Sequence, residues 1–396
     1  YHSTSDNQAL KNIIIPASVT EIGAAVFDGC TELTDIYYTG SEAQWKLVNI
    51  NRDNEQLFAA TLHFEASGTA GLEYTPLDDG TYEVSGIGSV SGQHIVIPAT
   101  HNGTVVSSIG EEAFKSCTSI VSVKIPEGVT SIGQGAFYGC SNLESVELPK
   151  GITTIPNNLF CECLSLKQIV IPDNVTSIGD YAFLGCYALP DITIPYGVIE
   201  IGREAFANCH SFEDITIPGS VQDFGTSVFG TCENLKHVTF CDGVTTVGNG
   251  MFSGCENLSS ITFVDSITKI GRSAFQMCSS LTNLELPGSV EHIGYGAFHW
   301  CDHLSSLTVP NAEVVFEPTD VYGIKTFALC KALEDVYFGG TEAQWIASGG
   351  HSALAEANIS PTVHYSEEKA VASGVLRSGE GWSINWSVSY TIDNDR

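Results

Sequence analysis

The chain has 396 residues, 43% of them apolar, enough for a continuous core and too many for a disordered segment. Sixteen Lys and Arg stand against 46 Asp and Glu, a formal charge of −30, which excludes nucleic acid and anionic membrane surfaces as partners because both require clustered basic residues. No run approaches the roughly 18 apolar residues of a membrane-spanning helix, so no membrane insertion is expected.

No basic-then-apolar leader precedes Tyr1, so an export signal is expected to be removed or never present. Residues 10–30 then spell a complete unit: Leu10, Ile13 and Ile15 lead to Pro16, followed by Val19, Ile22, Gly23, Phe27 and Cys30. Leu33 and Ile36 open another strand before the pattern breaks into YYTGSEAQWKLVNINRDNEQLFAATLHF. Trp45, Leu47, Val48, Ile50, Leu57, Phe58 and Leu62 are read as a cap over the end of a stack, since an uncapped repeat array would leave a cross-section of core in water. The same cap returns near the end. GSEAQW at 40–45 answers GTEAQW at 340–345, and LHF at 62–64 answers VHY at 363–365. Two caps imply two arrays: residues 1–64 as the end and cap of a first, residues 82–365 as a second with caps of its own. Residues 65–81, small, polar and turn-rich, read as a linker. The five extra residues between Pro98 and Val106 make the first coil of the second array irregular, as a starting cap should be.

From Cys117 to Cys301 a cysteine recurs every 23 residues, and three residues before each stands a phenylalanine, from Phe114 to Phe298. A fixed period in the twenties is the mark of a solenoid, in which each unit buries its apolar side against its neighbours. Units begin at Ile120, Leu143, Leu166, Leu189, Phe212, Leu235, Leu258, Leu281 and Leu304, with a last strand at Leu333. Each holds a short strand, ended in all but two units by Pro, which has no N–H to continue a ladder; Cys241 and Val264 replace it in those two. A second inward segment follows on the far side of the coil, then a Gly (133, 179, 202, 225, 248, 271, 294) where a sharp turn is expected, then Ala-Phe-x-x-Cys, read as one helical turn. The fold class expected is a mainly β solenoid with short helical turns, a right-handed array of 23-residue period. The coil between Pro310 and Cys330 is longer and should bulge. Thirteen cysteines at this spacing suit buried free thiols better than zinc, whose ligands converge from a few residues apart, or disulfides. Cys161 and Cys241 lie off the column and are the better candidates for an exposed or reactive thiol, although burial is expected for each. In the tail, 366–396, Trp382, Ile384, Trp386, Val388, Tyr390 and Ile392 alternate with polar residues, a half-buried strand that either opens a further β module or packs back on the cap.

The run Leu-x-x-Ile-x-Ile-Pro-x-x-Val-x-x-Ile-Gly-x-x-Ala-Phe-x-x-Cys, at residues 10–38 and about 92–338, resembles the BspA-type leucine-rich repeat proteins of bacteria. The resemblance implies a secreted or cell-surface protein that adheres to a host protein, a neighbouring cell or a glycan. It carries no catalytic residues to transfer and implies no cofactor. Searches for metalloprotease, nucleophile-elbow and phosphate-loop motifs find none, so a non-enzyme is expected. GIGSVSG at 86–92 has its third glycine one residue late and no long helix after it.

Repeat proteins bind on an extended concave surface, here the outward positions of the strand face. The candidates are Lys124, Glu147, Lys167, Thr193, Asp214, Thr216, His237, Thr239, Thr262, Glu285 and Thr308. The recurring threonines also suit an exposed strand with no ligand at all. Eleven strands at ~4.8 Å would extend on the order of 50 Å, a length suited to a protein or an extended glycan. The pattern specifies no oligomeric state. Two other roles fit the same residues: a recognition scaffold for a catalytic module of a larger surface protein, and a structural spacer. In HWCDH, His299 and His303 with His292 lack an evident third convergent ligand, so no metal site is assigned, while Trp300 and Tyr295 could offer a stacking platform for a sugar.

Overall fold

A computed structural model describes residues 10, 12–16, 18–38, 40, 42–63, 68–318, 324–357, 359–366 and 386–391. The chain divides into two compact units, Tyr1–Thr153 with Gln168–Asn174, and Thr154–Lys167 with Val175–Arg396. Both are built on one principle. Most coils contribute a short strand to each of two parallel ladders, and the ladder partner lies one repeat away; the coils that start at Leu166 and Leu189 lack the strand of one ladder.

In the first unit, strands Asn12–Ile15, Asp35–Tyr38 and Thr61–His63 pair in parallel, and Glu21–Ile22 pairs with Asn49–Ile50 on the opposite side of the same coil. Tyr38 stacks edge-on against Trp45 of the short helix Glu42–Trp45, with ring centroids 4.9 Å apart. Buried Asn54 ties this cap together: its Oδ1 accepts from the Phe27 N–H at 3.1 Å and its Nδ2 donates to the carbonyls of Gly23 and Asn51. Residues 73–76, inside the stretch read as a linker, form a strand hairpinned antiparallel to Tyr82–Gly86. Composition hides it, because a two-strand cap needs few apolar residues. The irregular coil after Pro98 is a second hairpin, Thr100–His101 against Thr104–Ile109, which then pairs in parallel with Ser131–Ile132.

In the second unit the outward face carries two sheets, one of Asp214–Ile217, His237–Phe240 and Ser260–Thr262, the other of Asn283–Glu285, Ser306–Val309, Asp335–Phe338 and Thr362–Ser366. Trp386–Thr391 adds an antiparallel edge to Thr362–Ser366, so this part of the tail strand pairs back on the cap. Trp382, Ile384 and Ile392 lie outside the described residues. The opposite ladder is made of two-residue strands such as Glu200–Ile201 and Asp223–Phe224. Strands this short are not stable alone; the stack makes them so.

Between the ladders the phenylalanines form a column of near-parallel rings. In the second unit Phe183, Phe206, Phe229 and Phe252 follow at centroid distances of 5.2, 5.4 and 5.7 Å, all fully buried. Cysteines line the column as free thiols. Eight of the buried column thiols, Cys140, Cys186, Cys209, Cys232, Cys255, Cys278, Cys301 and Cys330, donate to the carbonyl of the phenylalanine one coil earlier, as Cys232 Sγ to Phe206 O at 3.1 Å and Cys301 Sγ to Phe275 O at 3.0 Å. A small apolar residue that also donates one weak hydrogen bond is what the position requires. Off the column, Cys161 is buried, as expected, while Cys241 and the column's first member Cys117 are half-buried.

The Ala-Phe-x-x-Cys segment is a run of consecutive turns in which two residues per coil take the left-handed conformation, Glu204 (φ 50°) and Asn208 (φ 58°) in one coil. That alternation aims every second N–H along the array, so Glu204, Phe206 and Asn208 donate to Thr226, Val228 and Gly230 of the next coil at 2.8–2.9 Å. Three such bonds per coil offset the strain, about 1–2 kcal/mol for each non-glycine residue. The repeated glycine just before this run does not supply the turn. Its φ is ordinary; a Cβ on Gly202 would stand 2.5 Å from Asp180 N and 2.6 Å from the Gly179 carbonyl carbon. Close stacking of coils, not a sharp turn, demands glycine there.

The closing cap repeats the first with better packing. Helix Glu342–Ala347 opens on a capping box, in which Thr341 accepts from the Gln344 N–H and the Gln344 side chain accepts from the Thr341 N–H. Its Trp345 is fully buried against Phe316 and Phe338, at ring distances of 5.4 and 5.1 Å. The long coil supplies strand Val315–Phe316, and Glu313 accepts from Gln344 Nε2 at 3.1 Å.

Candidate functional site

Parallel pairing in register turns a repeat position into a straight row. Thr216, Thr239 and Thr262 are direct partners across three strands, and beside them Asp214, His237 and Ser260 form a second exposed row. Glu285 pairs with Thr308, and the row continues through Tyr337 and His364 of the cap. The structure therefore brings seven of the candidates, Asp214, Thr216, His237, Thr239, Thr262, Glu285 and Thr308, onto the strands of the second unit's outward face. Lys124 and Glu147 are partners in the first unit, with Nζ and Oε2 3.6 Å apart. At this exposure such a pair contributes little stability and holds the lysine locally. Lys167 and Thr193 are exposed but lie outside any strand.

Two features of the face escaped the sequence reading. Tyr337 stacks on His364 at 4.5 Å, and His364 Nε2 lies 2.7 Å from Asp335 Oδ1. The reading stopped at Thr308 because the longer coil breaks the count. The second feature is a gap in the ladder. In regular coils two successive N–H groups of one strand share a carbonyl of the previous coil, as Lys236 and His237 share Glu213 O at 2.8 and 3.1 Å. In the coil that starts at Leu189, Pro190 stands at that position. There the Glu213 and Asp214 N–H groups donate instead to Asp191 Oδ1, at 2.7 and 3.0 Å. A side chain replaces the backbone, and residues 190–194 form no strand.

Where the ladder parts, a depression of about 320 Å³ opens. Its floor and walls are Ile192, Ile194 and Pro218 together with the ring of Tyr196; its polar edge is Asp191, Thr193, Asp214 and Thr216. Tyr196 is 78% exposed. In the other units the residue after the strand-ending position is Glu127, Lys150, Asp173, Gly219, Asp242, Asp265, Gly288 or Asn311, so the tyrosine was visible as a departure from the repeat.

The acidic balance sharpens on this face. Lys236 Nζ is held by Glu213 at 2.9 Å, whereas Asp191, Asp214 and Glu285 make no ion pair among the described residues. Burial pushes the column thiols far from reactivity: Cys140, Cys232 and Cys330 are raised to about 12, and Cys186, Cys209, Cys255, Cys278 and Cys301 well above the usual range. No group of three His, Cys, Asp or Glu among the described residues could hold a metal ion. His303 Nδ1 lies 2.8 Å from Ser279 O, a link between coils. The face of Tyr295 is taken by the Arg272 guanidinium, 4.9 Å from the ring centroid, which itself binds Glu317 at 2.8 Å, so Tyr295 is no open platform. No helix among the described residues is long and apolar enough to cross a membrane.

The BspA type leucine rich repeat region model matches residues 3–46, 107–236 and 199–333, in six copies. The chain belongs to the BspA-type leucine-rich repeat family. Similar solved structures include a leucine-rich repeat protein of Treponema pallidum, 28% identical, with 53% of this chain and 88% of that one covered and a TM-score of 0.39. A leucine rich cell surface protein of Faecalibacterium prausnitzii is 24% identical over 70% of this BspA-type chain and 96% of its own, with a TM-score of 0.39. The pneumococcal vaccine antigen PcpA is 18% identical over 77% and 94%, with a TM-score of 0.41. No curated protein sequence matches the chain.

Proposed function

We infer that this BspA-type array is a non-enzymatic cell-surface or secreted protein that binds a host or neighbouring-cell protein or glycan through its outward strand face. The observation that carries the reading is the register-aligned row Thr216–Thr239–Thr262 beside Asp214–His237–Ser260, an ordered, exposed surface that no other described element covers. All but two of the described thiols, Cys117 and Cys241, are locked in the core and serve packing. An extended polar strip held rigid by short ladders suits a macromolecule, because rigid presentation lowers the entropy cost of binding.

The test is a binding screen of the purified chain against extracellular matrix proteins and a glycan array, repeated with Thr239→Glu and Thr262→Glu combined. Both side chains are exposed, so the double variant should keep the wild-type melting temperature. A saturable ligand that loses at least tenfold in affinity in the variant supports the strip. A ligand indifferent to it moves the site to the edges or caps, and the strip reading fails.

A further inference from the structure

We propose that the ladder gap between Leu189 and Pro218 is a subsite for one neutral, hydroxyl-rich sugar ring of a glycan. This rests on the strand-face reading above and names the ligand class for one part of it.

The depression, about 320 Å³, lies at the small end of ligand pockets, roughly 300–1,000 Å³, and so admits one ring and leaves the rest of a chain outside. Its surfaces divide as a pyranose does. Tyr196 offers an apolar ring for the C–H face of a sugar and stands free of the core with most of its surface in solvent, while Ile194 and Pro218, also in the lining, are buried. The lining also holds two carboxylates and two hydroxyls, Asp191, Asp214, Thr193 and Thr216, which accept and donate as a sugar's hydroxyl edge requires. Asp191 is oriented before any ligand arrives: Oδ1 is fixed by two backbone N–H donors, which leaves Oδ2 to accept from sugar hydroxyls in a charge-assisted bond.

The same groups argue against other occupants. An anionic sugar would meet two carboxylates with no cation to offset them. A lysine or arginine of a protein partner would form ion pairs with exposed carboxylates, which contribute about 0–1 kcal/mol, and would leave the threonine hydroxyls unused. A tyrosine exposed to this degree, at a repeat position otherwise filled by small or charged residues, gives the array nothing in stability. Asp191 has a structural part, since it replaces a backbone carbonyl; the tyrosine has none.

The experiment titrates the full chain with neutral gluco-, galacto- and manno-configured oligosaccharides and with sialylated and sulfated ones, followed by saturation-transfer NMR and calorimetry. Wild type should bind at least one neutral series, with ring protons of a single residue closest to the protein, and no acidic one. Tyr196→Ala should lose at least tenfold in affinity at an unchanged melting temperature, and Asp214→Asn several-fold. Thr239→Glu with Thr262→Glu, outside the depression, should leave the affinity for a short oligosaccharide within twofold. Neutral sugar binding indifferent to Tyr196→Ala overturns the subsite. So does capture of an arginine-rich peptide, lost in Asp214→Asn, with no sugar bound. A protein ligand that depends on Thr239 and Thr262 while every oligosaccharide fails overturns the subsite and leaves the strip standing. Failure of all ligands overturns both.

Discussion

Phe206 tests the assignment of the core column most directly. Its ring is fully buried and lies parallel to Phe183 at 5.2 Å and to Phe229 at 5.4 Å, with Phe212 at 6.0 Å on its flank. Truncation of a buried phenylalanine to alanine costs about 3–5 kcal/mol in transfer and cavity terms. Two stacked pairs, each worth about 0.5–1.5 kcal/mol beyond buried area, are lost with it. Phe206→Ala should therefore fall at the upper end, about 5 kcal/mol, whereas Phe206→Leu, which keeps most of the apolar volume, should cost roughly 2 kcal/mol. The assay is urea unfolding followed by far-UV circular dichroism. Because an array is coupled only through neighbouring coils, a weakened coil can also uncouple the segments on either side, and the alanine variant should show a broadened or divided transition. A midpoint for Phe206→Ala within about 1 kcal/mol of wild type, or equal losses for alanine and leucine, would refute the column.

The remaining expectations concern glycine and sulfur. Gly202→Ala should cost roughly 1–3 kcal/mol by overpacking, since its Cβ would press on the backbone of the previous coil, while Gly288→Ala, whose nearest neighbour would be Pro310 Cβ at 4.0 Å, should be near neutral; equal melting temperatures would sink the close-stacking argument. Mild alkylation of the native protein should modify Cys117 and Cys241 first and the remaining thiols only on unfolding, and mass mapping that finds Cys232 or Cys278 modified in the native state contradicts their burial. Alkali should destabilise the fold. An unfolded thiol ionises near 8.5, whereas Cys140, Cys232 and Cys330 hold their protons to about 12, so the unfolded chain binds fewer protons between these values. Their contribution is whole below about pH 8.5 and falls as pH rises, by about 1–2 kcal/mol per thiol at pH 10. Replacing the three by alanine should flatten the loss of melting temperature between pH 8 and 10, and an unchanged slope would remove thiol ionisation as its cause.

The solenoid was legible because its period is imposed by packing: Phe, Cys and the strand leucines recur wherever the same cross-section must be refilled. Their partners were less so. That Cys232 donates to the Phe206 carbonyl depends on the left-handed residues between the two, and no residue type betrays those, since Glu204, Ser227 and Met277 all adopt positive φ. The repeated glycine was visible, but its cause was not, because the sequence shows neighbours along the chain and the clash is with a residue about one coil away. Strand Glu73–Pro76 was missed for a related reason: it is held by backbone pairing to Tyr82–Gly86 and buries little. On the candidate face the rows were readable from the period alone. The depression was not, although both of its causes, Pro190 and Tyr196, stand in plain sight.

A repeat chain carries its own alignment, and this gives departures from the unit a meaning that single residues lack elsewhere. A position that must fill the core is rewritten in every coil, so a substitution there is either tolerated by packing, as Pro156 in place of the glycine is, or destabilising. An outward position has no such constraint, and small or charged residues accumulate there because solvation is all they need. Pro190, Asp191 and Tyr196 break that pattern together, within seven residues. The proline removes a ladder donor, the aspartate repairs the neighbouring strand's two orphaned N–H groups at 2.7 and 3.0 Å, and the tyrosine puts an apolar ring in water beside the gap. The first change weakens pairing with the preceding coil, while the second satisfies the donors of the following one. The third has no structural compensation to offer, and an exposed aromatic ring next to an oriented carboxylate is the departure on which the proposed sugar subsite rests.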